Sequence, residues 1–176
     1  MTPSSYKDRK YHIEEYNPSW ADEFIRDKKL LSNIWKEDAV AIEHIGSTSV
    51  PGMRGKPTID ILILVNDLNV ISKHIKDMQN AGYESIPALI TPDSHLFRKM
   101  HDNVLLSNVH VFQKGHPHVR EMLALRDYLR THSETVKEYS EIKQKLALAY
   151  PNDYAQYRKE KDEYMNKLER KIGIIH

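Results

Sequence analysis

The stretch His44-Ile45-Gly46-Ser47-Thr48-Ser49-Val50-Pro51-Gly52-Met53-Arg54-Gly55-Lys56-Pro57-Thr58-Ile59-Asp60 decides how the rest of the chain is read. It lies between two apolar runs, residues 39–45 (AVAIEHI) and 59–65 (IDILILV), both of which read as strands. The second run is apolar at both parities, the pattern of a strand covered on both faces. Between the runs, Gly46, Pro51, Gly52, Gly55 and Pro57 crowd turn formers into a short loop. Such a loop can turn backbone amides and the hydroxyls of Ser47, Thr48 and Ser49 toward phosphate oxygens, with Arg54 and Lys56 adding charge. A plain strand-to-strand connection is the competing reading. Asp60 sharpens the choice. A carboxylate within an apolar strand must pair with a cation, bind a metal, or sit at an exposed strand end. A hard cation such as Mg²⁺ uses carboxylate oxygens together with substrate phosphates.

Outward from this stretch the chain alternates strand and helix patterns, then becomes helical. Residues 11–16 have the character of a short edge strand. Trp20, Phe24, Leu31 and Trp35 form a helical stripe, with Ser19 and Asp22 in capping-box positions. These aromatics read as core rather than as a stacking platform. Leu68, Ile71, Ile75 and Met78 mark a second helix, with Asp67 as its cap and Gly82 past its end. Strands are expected at 83–89 and 104–113, and a basic loop around His95, Arg98 and His101. Three helices follow: the first over 117–132, the second capped by Ser133, the third capped by Asn152. The expectation is one α+β unit over residues 1–176, mixed over about 11–115 and helical over about 116–172.

The bulk numbers agree with one core. A chain of 176 residues is near the ordinary single-domain length, and 40% hydrophobic with 29% charged residues suits a globular fold. The net charge of +1 gives no bulk attraction to nucleic acid or membrane. There is no cysteine, so disulfides, zinc thiolates and a cysteine nucleophile are excluded. Residues 1–10 are polar and lack the apolar core of a secretory signal, and no apolar run is long enough to span a bilayer. A cytoplasmic setting is expected.

The motif resembles the GrpB family, a branch of the nucleotidyltransferase-like fold. The resemblance rests on Glu43-His44-Ile45-Gly46-Ser47-Thr48, Val50-Pro51-Gly52, Lys56-Pro57 and Ile59-Asp60-Ile61. Arg126-Asp127-Tyr128-Leu129-Arg130, Tyr16-Asn17-Pro18-Ser19-Trp20, Phe97-Arg98 and Val109-His110-Val111 add to it. It implies a mixed sheet of nucleotidyltransferase type with flanking helices. In that wider plan a Gly-Ser pair precedes a strand bearing Asp-x-Asp. Here Ser47 and Asp60 match, but the second carboxylate would fall at Thr58 or Leu62, neither of which is acidic. Two-metal transfer needs ligands that clamp both reacting oxygens.

The resemblance and the residues together give an expected site. Asp60 is the candidate catalytic group and, with Glu43 and His110, the candidate set for Mg²⁺ or Mn²⁺. His44, Gly46, Ser47, Thr48, Lys56, Arg98, Arg126 and Lys161 are candidates for binding a nucleotide or another phosphorylated small molecule. His110 alternates with Val109 and Val111, so it faces away from them; a core histidine bonded to backbone is the bland alternative. Arg126 and Lys161 interrupt apolar helical stripes, where a cation must snorkel, pair or face a ligand. Metal-dependent transfer to an unidentified acceptor is one expected activity. The other reading is a non-catalytic accessory or chaperone-like module acting on protein partners, since GrpB-like segments also occur fused to a coenzyme A biosynthesis kinase. Nucleic acid is a poor fit, because no basic face interleaved with aromatics is visible.

Overall fold

The computed structural model describes residues 11–175; the polar segment 1–10, read above as no secretory signal, lies outside them. Five strands form one mixed sheet in the order β1-β2-β5-β4-β3. They are β1 (Ala41–Ile45), β2 (Ile59–Val65), β3 (Tyr83–Pro87), β4 (His95–His101) and β5 (Val104–Gln113). β2 and β5 run parallel and all other neighbours are antiparallel. The helices are α1 (Ser19–Trp35), α2 (Ile71–Asn80), α3 (Pro117–Thr131), α4 (Ser133–Ala149) and α5 (Tyr154–Lys171). The α+β class read from the sequence is the one found.

The period-2 alternation of strand side chains sorts the sheet into two unlike faces. Ile59, Ile61, Ile63 and Val65 of β2, with Val109 and Val111 of β5, face α1 and α2, where Trp20, Leu31, Trp35, Ile71 and Met78 complete the larger core. The opposite face of β2 carries Asp60, Leu62 and Leu64. Leu62 packs there with Ile45, Phe112 and Val119 of α3. Both faces of β2 are therefore covered, as its apolar residues at both parities imply. A third cluster joins the 46–58 loop to the helices: Val50 and Met53 pack on Leu129, Val136, Tyr139 and Leu168.

Several local expectations change. Residues 95–101 are a strand, not a basic loop; Leu96 and Phe97 are buried, and pairing with β5 outweighs the three histidine and arginine side chains that mask the pattern. His95 is accordingly buried, its ring tilted against that of Phe97 at 4.5 Å and bonded to Ser85 Oγ at 2.8 Å. Residues 11–16 contribute only a lone bridge, Glu14 to Gly55. Ser19 is already helical, and the Asn17 side chain accepts its amide instead. Ser133 likewise lies inside α4, whose N-terminus has no side-chain cap, and Asp153 rather than Asn152 caps α5. Asp67 does accept an amide, from Asn69, but in the short 3₁₀ turn that leads into α2. Among the described residues, no helix is long and apolar enough to cross a membrane.

Candidate functional site

The 46–58 loop borders the main cleft, which measures about 600 Å³ and lies between the Asp60 face of the sheet and helices α3 to α5. That volume is within the range of about 300–1,000 Å³ common for small-molecule sites. Register explains which strand residues meet there. Asp60 pairs with Asn108, and Asn108 with Arg98, so one row across the sheet carries a carboxylate, an amide and a guanidinium. The next row on the same face is Glu43, Leu62, His110 and Leu96. Asn108 Nδ2 donates to Asp60 Oδ1 at 2.8 Å, and His110 Nε2 lies 3.7 Å from the same oxygen. Burial alone would raise the Asp60 carboxyl; bonding and charge from His110, with Asn108 and Lys56, hold it below its ordinary value instead. Two buried nitrogens near this row, Arg98 Nε and His110 Nδ1, have no protein partner.

The helical wall supplies a group that is not among the site residues expected from the sequence. Lys143 of α4 is only 2% exposed. Its ammonium donates to Ser47 Oγ at 2.9 Å and to the Arg54 carbonyl, and it lies 4.5 Å from the Tyr139 ring centre. Among the described residues it meets no carboxylate in salt-bridge range. Burial first, and then the charges of Lys161 and Lys56, push it well below the usual lysine range. Around it, Lys56 donates to Tyr154 OH at 2.5 Å and Lys161 to Asp162 at 2.6 Å. The cleft is lined by Lys56, Arg98, Arg126, Lys143, Arg158 and Lys161, against Asp60, Asp162 and Glu169. Six cationic and three acidic side chains leave it cationic. Met122, Leu125, Leu129 and Met165 make its wall apolar elsewhere.

The expected site residues divide accordingly. Gly46, Ser47, Lys56, Asp60, Arg98, His110, Arg126 and Lys161 line the cleft. His44 and Thr48 do not. Alternation turns His44 to the α1 side, where it stacks on Phe24 at 4.6 Å and meets Thr48 Oγ1 at 2.9 Å. Thr48 is buried, its hydroxyl donating to the Thr58 carbonyl. Arg126 points to the sheet as its stripe position implies, donating to Glu43 at 2.9 Å and to the His44 carbonyl at 3.1 Å. That ion pair engages the Glu43 carboxylate with Arg126. Among the described residues no three histidine or acidic side chains are grouped to share a metal ion. The donor set at Asp60 is one carboxylate whose Oδ1 is taken by an amide and approached by an imidazole, which does not fit a pre-formed Mg²⁺ or Mn²⁺ site.

His44 gives a pH prediction. Burial pushes its pKa from 6.5 down to about 4, with the Asp60 charge opposing the shift only in part. A base with a lowered folded pKa stabilises the fold fully above its unfolded value and loses that contribution as pH falls from 6.5 toward 4. Near pH 5 the loss should be about 2 kcal/mol. Urea unfolding at neutral pH and near pH 5 measures it, and His44→Gln should remove most of the difference. Equal acid sensitivity in both proteins would show that His44 is not the titrating group.

The fold and cleft define the class: an α+β protein with a mixed five-stranded sheet and a cationic, partly apolar cleft between one sheet face and its helices. A model of the family described as GrpB protein matches residues 10–171, and the chain belongs to that family. The UPF0157 protein YqkA of Bacillus subtilis is 36% identical over 164 residues, 93% of this chain and 48% of that protein. The chain thus spans about half that relative's length. The crystal structure of conserved protein GrpB from Enterococcus faecalis superimposes with a TM-score of 0.86 at 30% identity, covering 91% of this chain and 96% of that one. The Cid1 poly(U) polymerase structure is far more distant, with a TM-score of 0.44 at 11% identity over 77% of this chain and 40% of that one.

Proposed function

We propose that the cleft binds a phosphorylated small molecule, with a nucleotide as the best fit. The observation that carries this reading is Lys143, a buried amine beside Lys56 and Lys161 that meets no carboxylate among the described residues and whose protonated form burial disfavours until an anion arrives. A buried cation without a counter-charge is costly, and an anion relieves that cost. Lys143 donates to Ser47 Oγ, so the hydroxyl hydrogen remains available to a phosphate oxygen. The unpartnered Arg98 Nε adds a donor along the sheet row. The apolar wall formed by Met122, Leu125 and Met165 suits the uncharged body of such a ligand.

A thermal-shift series with ATP, UTP and inorganic pyrophosphate tests it. A ligand at 100 times its dissociation constant stabilises by about 2.7 kcal/mol, a shift of several degrees for a chain of this size. No shift with any phosphorylated compound at millimolar concentration would end the proposal.

Leu62 favours a second reading. It stands where a second strand carboxylate would be needed for transfer and is instead 0% exposed in the core. A non-catalytic accessory module acting on a protein partner accommodates that. Turnover of a bound nucleotide separates the two: product formation supports transfer, and saturable binding without product supports the module.

A further inference from the structure

We infer that an anion in this cleft is neutralised by the lysine cluster around Lys143 rather than through a bound divalent cation. The inference rests on the phosphate-binding reading above and concerns what supplies the positive charge. Three observations on the sheet side point away from a cation. Asp60 Oδ1 is occupied by the Asn108 amide, and Oδ2 lies against Gly46, where a Cβ would sit 2.6 Å from it. Two residues along the same face, Leu62 offers no oxygen and is sealed among Ile45, Phe112 and Val119. One strand over, the Glu43 carboxylate is held by Arg126 at 2.9 Å. A magnesium ion held by protein through one encumbered carboxylate would depend almost wholly on its ligand and water.

The helical side shows the reverse. Lys143 and Lys161 reach one end of the cleft from two helices, and Lys56 reaches it from the loop. Lys143 is already desolvated and held by Ser47 and Arg54, so an arriving phosphate meets a positioned amine with no water shell left to shed and favours its protonated form. Its two hydrogen bonds, to Ser47 Oγ and the Arg54 carbonyl, do not exhaust the three donors of an ammonium. The bond to Ser47 also fixes the ammonium beside the loop that borders the cleft. Six basic against three acidic side chains line the cleft, an excess that can offset a diphosphate without a metal.

Titration calorimetry with inorganic pyrophosphate, in EDTA and then in Mg²⁺, tests the inference on wild type, Asp60→Asn, Lys143→Met and Lys161→Met. Binding should persist in EDTA and change by less than about 3-fold on adding Mg²⁺ or in Asp60→Asn. Lys143→Met should weaken it by roughly 30-fold or more, the worth of a charge-assisted hydrogen bond in a dry site. Lys161→Met, on a partly exposed helix flank and therefore safe for folding, should weaken it by about 10-fold. Binding that needs Mg²⁺ and disappears in Asp60→Asn overturns the inference while leaving phosphate binding intact. Wild-type binding unchanged in both lysine variants overturns it as well. No wild-type binding in either condition removes the phosphate-binding reading itself.

Discussion

Gly46→Ala should lower the stability of the protein by about 4 kcal/mol, while Gly52→Ala should lower it by only about 1 kcal/mol. Both glycines have positive φ, +73° at Gly46 and +80° at Gly52, so both substitutions carry backbone strain. They differ in what the new methyl meets. At Gly52 nothing lies within 4 Å. At Gly46 the Cβ would sit 2.6 Å from Asp60 Oδ2, 3.1 Å from its Cβ and 3.2 Å from its Cγ. Asp60 Cβ is fixed by the strand, and its carboxylate is held by Asn108, so neither can swing aside. Gly46 also has ψ near −174°, a combination of torsions that is almost confined to glycine. Urea midpoints of the two variants give the difference directly. Equal losses at the two positions would mean that Asp60 does not abut the turn.

Trp35→Ala should cost about 3–5 kcal/mol and lower the melting temperature by about 10 °C, yet leave the pyrophosphate affinity of the folded protein unchanged. Trp35 is fully buried where α1, α2 and β4 converge. Its indole Nε1 donates toward Met78 Sδ at 3.3 Å, its ring lies 4.5 Å from that of His74, and it meets Phe97 edge-on at 6.1 Å. No smaller side chain fills that space, and α1 has no freedom to collapse onto a sheet already packed by Trp20 and Leu31. The sheet separates this core from the cleft, which is why the affinity should hold. Chemical denaturation and calorimetry on the same variant check both halves; a large affinity change would show that the two faces are coupled.

The strand that carries the site is legible in the sequence because one carboxylate interrupts an apolar run, a pattern with few physical explanations. Its partners are less so. Asn108 gives no local signal, because its meeting with Asp60 depends on the parallel register of β2 and β5. Residues 95–101 are hidden because histidine, arginine and lysine dilute a short alternation that tertiary pairing completes. The placement of His44 follows from alternation once Asp60 and its neighbours fix the cleft face, but the residue sits in the motif and so reads as part of the site. Lys143 leaves a faint signal: Val136, Tyr139, Ser140 and Lys143 lie at helical spacing on one stripe and are all buried. A single lysine on such a stripe ordinarily extends its head to water. Only the packed helices show that this one turns inward to the loop.

The ties that close the cleft join distant parts of the chain. Asn108 and Asp60 are 48 residues apart, while Lys143 and Ser47 are 96 apart. In polymer language the second contact closes a loop twice as long, yet a doubling adds only about 0.6 kcal/mol of closure entropy. Sequence separation therefore matters little to holding the helical wall against the sheet. What matters more is the fit of a few end groups on α3 and α4 — Arg126 on the His44 carbonyl, Arg130 on that of Ser49, Lys143 on that of Arg54 — which fasten the end of β1 at one point and the irregular loop after it at two.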